Sequence, residues 1–171
     1  LVLTTRRLGG EHGLRETHLE ATSAGYRNVE ALYPFRYRFR SWASAGDARL
    51  LGFEAFEKTH KQRHRLYLRD DSVLGVSRLD PQDAVGRQSL EQLAAGERPD
   101  ATVIGDGLFD RLGLLQQIRS RALSEQAEYR FQVTNGRHLF AYRVSVEGAE
   151  SLMLDDRRVA AWRLRIDGSR S

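Results

Sequence analysis

Cysteine is absent from the 171 residues. That excludes disulfides, thiol nucleophiles and thiolate metal ligands, and it leaves the redox compartment open. Lysine is nearly absent too. Of 27 basic residues only Lys58 and Lys61 are lysines, so the other 25 are arginines. No apolar run approaches the roughly 18 residues that a membrane-spanning helix needs, so the chain is expected not to span a membrane. The first residue is Leu1, and no signal-like apolar segment precedes the first charges. The chain is therefore expected to be a processed or recombinantly trimmed form, which a removed signal peptide would fit.

What is present suits one β-rich domain over residues 1–171: 40% of residues are hydrophobic, enough for a core, and 29% are charged. The net charge is +4 and the sequence pI about 9.7. Arginine binds carboxylates and phosphates through a planar fork, so an anionic partner is a natural candidate. The 23 acidic residues are interspersed among the basic ones. A basic patch, not a basic total, marks nucleic-acid binding, and no nucleic-acid partner is expected.

The stretch Tyr129–Ile166 carries the clearest pattern. Phe131 and Val133 alternate with polar residues, and His138, Phe140, Tyr142, Val144 and Val146 alternate with Leu139, Ala141, Arg143 and Ser145. Period two marks a strand with one buried face. Asn135-Gly136 suits a type I′ turn between two strands. Further turns are expected at Glu147-Gly148 and Asp155-Asp156, the second leading to Val159–Ile166, where Trp162, Leu164 and Ile166 share a face. Upstream, strands are expected at Leu1–Leu8, Leu14–Ala21, Arg49–Lys58, Gln62–Arg69 and Ser72–Leu79. Asp70-Asp71 closes the pair before the last of these.

Phe35–Arg40 alternates strictly, with Phe35, Tyr37 and Phe39 on one face and Arg36, Arg38 and Arg40 on the other. Stacking on single-stranded bases would need both residue types on one exposed surface, which this spacing denies. Asp80–Gly107 is broken by Pro81, Gly86, Gly96, Pro99 and Gly105, and reads as a long loop with a short helical possibility at Leu90–Ala95. Leu108–Leu123 reads as the one main helix, with Asp106 as N-cap and Leu108, Leu112, Leu115 and Ile118 as its apolar stripe. The expected fold is mainly β: a curved antiparallel sheet or half-open barrel meander, with one amphipathic helix packed on its concave side.

No residue set specifies a reaction. His60 and His64 are four apart on a predicted strand, about 13 Å, too far for one zinc ion; no metal and no cofactor are expected. Asp70-Asp71, Asp106 with Asp110, and Asp155-Asp156 sit where turns or helix starts want Asp. A hydrolase would need two carboxylates facing each other across a cleft. There is no Gly-x-Ser-x-Gly elbow and no phosphate-binding Gly-x-x-x-x-Gly-Lys loop.

The segment Val29–Ser41, the strand pair after it, the run Asp106–Arg119 and the meander Phe131–Ile166, with its hairpin Asn135–Gly148, resemble the exported bacterial proteins grouped as domain of unknown function 3108. The chain departs from that pattern in ending at Ser171 and in carrying Gly107 and Phe109 where the family often has Pro and Ser. The resemblance implies a periplasmic location and a lipoprotein-carrier-like sheet, and supplies no catalytic residues. The leading expectation is thus a non-enzymatic periplasmic domain. It would hold an apolar, lipid-like ligand on a concave face lined by Phe35, Tyr37, Phe39, Phe140, Tyr142 and Trp162, unless these residues are simply core. The alternatives are a module docking an anionic envelope component through Arg36, Arg38, Arg40, Arg63 and Arg65, and a hydrolase built on paired carboxylates.

Overall fold

The structure, a computed structural model, describes residues 1–9, 13–46, 48–70, 75–97 and 107–170. It is mainly β and built on two sheets. Strands β1 (Val2–Leu8), β2 (Leu14–Thr22), β3 (Arg36–Ser44), β4 (Leu50–Lys58), β5 (Gln62–Asp70) and β6 (Gly75–Leu79) form an antiparallel meander in chain order. Strands β7 (Leu108–Phe109), β8 (Glu128–Thr134), β9 (Leu139–Leu154) and β10 (Arg157–Arg170) form the second sheet, in which only β7 and β8 are parallel. The described strands do not close into a barrel.

Three helices accompany the sheets where one main helix was expected: α1 (Arg27–Leu32), α2 (Ala84–Ala95) and α3 (Arg111–Ser120). The first sheet is covered on both faces. On one, Leu14, Trp42, Leu51 and Leu66 bury against Leu93 of α2. On the other, Phe39, Leu50, Phe53, Ala55 and Tyr67 pack with Leu112 of α3. The second sheet has its own cluster, in which Phe109, Phe131, Val133 and Val144 meet Leu114 and Ile118 of α3. Helix α3 therefore serves two cores. For that reason Leu114 is buried and Leu115 is 42% exposed, against the single stripe read from the sequence.

The boundary of α3 also differs. Leu108 and Phe109 pair with Gln132 and Val133 as a strand, and the N-cap is Asp110, whose Oδ1 accepts from the Gly113 amide at 2.6 Å. Asp106 lies outside the described residues. Helix α2 is longer than expected because Asp83 caps it and Gly96 ends it in the left-handed region (φ 83). Gly86, which reads as a breaker, lies so close to Asp80 that a Cβ would fall 1.9 Å from its carbonyl oxygen. Short α1 was not foreseen. Asp71 and the start of the predicted strand Ser72–Leu79 are outside the described residues.

In the second sheet the loop Asn135–His138 is not a two-residue type I′ turn. Gly136 alone has a positive φ, and the Asn135 side-chain oxygen accepts from the Arg137 and His138 amides, both at 2.9 Å. Asp155 and Asp156 are the pair that both adopt positive φ (47 and 60) and link β9 tightly to β10. Glu147-Gly148 is not a turn. Arg163 pairs with Gly148 and Leu164 with Val146, so Glu147 is the extra residue of a bulge inside one long strand. A second bulge leaves Leu51 as the extra residue in β4.

Candidate anion-binding site

The six aromatic candidates do not share a surface. Phe35 precedes β3, where its amide and carbonyl meet the Ser23 hydroxyl. Tyr37 and Phe39 begin a stack that crosses the first sheet: Phe39 lies 5.3 Å from Phe53, and Phe53 lies 4.7 Å from Tyr67. Each ring fills its neighbour's contact shell, as in a packed core. Phe140 and Tyr142 belong to the second sheet, 6.2 Å apart. The Tyr142 ring covers Gly168 across the strand pair. Trp162 stands beyond the bulge and is 39% exposed.

The five arginine candidates do not share a face either. Arg38 is in register with Phe56 and Arg40 with Glu54, on the side covered further along by α2. Arg63 and Arg65, in register with Glu57 and Ala55, point to the opposite side, that of Phe39 and Tyr67. Those on the first side already have partners. Arg36 binds Glu30 at 2.7 Å, and this guanidinium, with the Ser23 hydroxyl, draws the Glu30 carboxyl down to about 2. The Arg38 guanidinium lies 5.2 Å from the centre of the Phe56 ring. Arg40 approaches Glu54 at 3.5 Å, and buried Glu54 also bonds to His64 at 2.5 Å.

Arg63 and Arg65 are different. Together with Arg78 of β6 and Arg137 of the Asn135–His138 loop they line a hollow of about 390 Å³. Local structure places each one. Tyr67 stands across from Arg78 and two residues beyond Arg65 on the same face. Gly136 packs on the Tyr67 ring, which brings Arg137 to the other three. Glu57 is opposite Arg63 in register but forms no ion pair with it. Among the described residues none of the four guanidiniums has a carboxylate partner. Arg78 and Arg137 were not among the expected residues. Arg78 is brought to Arg63 and Arg65 by the pairing of β6 with β5, and Arg137 is added where the second sheet meets the first.

No family model matches the chain, and neither does any curated protein or solved structure.

A larger trough, about 620 Å³, lies on the second sheet between Arg130, Arg143 and Asp167. Its charges are matched: Arg130 to Glu128 at 3.2 Å and Arg143 to Asp167 at 3.8 Å. Of the carboxylates singled out in the sequence, Asp110 is a buried helix cap, and Asp155 and Asp156 form an exposed turn. Glu16 and Glu54 are the buried glutamates that periodicity did not reveal. Each has a basic partner, Arg6 for Glu16 and His64 for Glu54.

Proposed function

We propose that this chain is a non-catalytic docking domain, and that it holds an anionic partner at Arg63, Arg65, Arg78 and Arg137. The observation that carries this reading is the convergence on one hollow of four guanidiniums that have no carboxylate partner among the described residues. Like charges so arranged repel one another, and an anion that enters relieves the repulsion while gaining paired hydrogen bonds to planar donors. The resemblance to exported bacterial proteins makes an anionic component of the periplasm the partner in view. The apolar-ligand reading draws less support, because Tyr37 and Phe39 are occupied in an aromatic stack.

The test is binding of inorganic polyphosphate, followed by fluorescence at low and high salt. The combined change Arg63→Gln and Arg137→Gln is expected to weaken binding about tenfold or more, since one charge-assisted pair is worth about 1.5–3 kcal/mol. Arg157→Gln with Arg158→Gln removes the same charge from the exposed end of β10 and is expected to leave it unchanged. Equal weakening by both pairs would reduce the site to a general effect of net charge.

A further inference from the structure

The hollow adjoins an unfinished sheet edge. Strand β5 is paired with β4 from Lys58↔Gln62 to Gly52↔Leu68. On its other side β6 pairs only as far as Leu66↔Leu79. The next residues cannot prolong β6. Pro81 has no N–H to give a ladder. The Asp80 carbonyl accepts from the Asp83 amide at 3.2 Å, and its side chain accepts from the Gln82 amide at 2.9 Å. Gly86 packs directly on that carbonyl. The chain has turned into α2, and among the described residues no strand covers Gln62–Arg65 on that side. An unpaired edge of four residues, about 13 Å long, is left beside the arginines.

We propose that the anionic partner is an acidic polypeptide segment that adds to β5 as a short extra strand, in line with β6. This rests on the anion-docking reading above and goes further by naming the partner class and the way it binds. Strand addition supplies main-chain hydrogen bonds for affinity, and the alternating side chains supply selectivity. An added strand turns every second side chain toward Arg63, Arg65, Arg78 and Arg137, so those positions should be Asp or Glu. The side chains between them face Gln62 and His64, and His64 is already bound to Glu54. The recognised pattern is therefore acid-x-acid with an uncharged residue between. Charged side chains on an edge also keep it from pairing indiscriminately; this edge repels a basic strand and admits an acidic one. The outer edge of β10 is less suited, because Arg163 and Arg165 there are paired with Glu147 and Asp167.

The experiment uses the full chain and a fluorescent hexapeptide, Thr-Glu-Thr-Glu-Thr-Glu. Two further peptides carry backbone N-methyl groups, one on the three Thr residues and one on the three Glu residues. Amides of successive residues point to opposite edges of a strand, so only one methylated set would face β5. Strand addition predicts that one methylated peptide binds about tenfold or more weakly, that the other binds like the parent, and that Arg63→Gln with Arg65→Gln weakens the parent. If both methylated peptides bind like the parent in an arginine-dependent way, anion docking stands and strand addition is overturned. Binding of polyphosphate without binding of any peptide overturns it as well. If neither polyphosphate nor peptide binds, both proposals fall.

Discussion

Gly136 lies against the ring of Tyr67, so closely that a Cβ on the glycine would fall 2.3 Å from Cε1 of the tyrosine. The residue also has φ 86, where side chains are strained. This contact joins the tip of the second sheet to the aromatic stack of the first. It also delivers Arg137 to Arg65 and Arg78. Gly136→Ala is expected to cost about 2–4 kcal/mol from overpacking and backbone strain together, read as a lower urea midpoint. The same variant should bind polyphosphate more weakly while still folded, because Arg137 is displaced.

Asp110 is fully buried, and desolvation pushes its carboxyl from 3.8 up to about 6, partly offset by the Gly113 amide and the Ser41 hydroxyl. A raised folded-state pKa means that the folded protein holds the proton more tightly. The associated stability is complete below about pH 4 and is lost as pH rises through about 6. Asp110→Asn keeps a capping oxygen and cannot ionise. Its stability relative to the parent should rise between those pH values by roughly 3 kcal/mol, measured by urea denaturation at each pH. Parallel curves for parent and variant would refute the assignment.

Glu30 shifts the other way, to about 2, because Arg36 and Ser23 bond to its charged form. The stability it contributes is present above its ordinary value and is lost as pH falls through about 2. Carbon-detected NMR titration of the Glu30 carboxyl should show the depressed midpoint. Arg36→Gln should return it toward 4.5, the value without partners.

Leu93 is wholly buried against Trp42, Leu14 and Leu66. It anchors α2 to the face of the first sheet opposite α3. Leu93→Ala is expected to cost about 2–5 kcal/mol in thermal or urea unfolding. A loss near zero would mean that α2 is not seated there.

Local pattern made the strands legible. The alternation of Tyr37 and Phe39 with Arg36, Arg38 and Arg40 holds in the register of β2 to β4. Glycine was harder to read, because it serves several purposes. Gly148 marks a bulge instead of a turn, and Gly86 permits a helix start to touch Asp80 instead of breaking the helix. Helix α3 carries no single stripe because Leu112 and Leu114 belong to different cores. The arginine site was only half visible. Arg63 and Arg65 could be named from their strand; Arg78 reaches them by the pairing of β6 with β5, and Arg137 through the contact of Gly136 with Tyr67. No local periodicity encodes that contact.

The central claim is that Arg63, Arg65, Arg78 and Arg137 act together on an anion. Arginine side-chain Nε–H signals in NMR, followed while inorganic pyrophosphate is added, test it residue by residue. These four signals should move together along one binding curve, while those of exposed Arg157 and Arg158 stay in place. Equal movement of all exposed arginines, or movement confined to others, would contradict it.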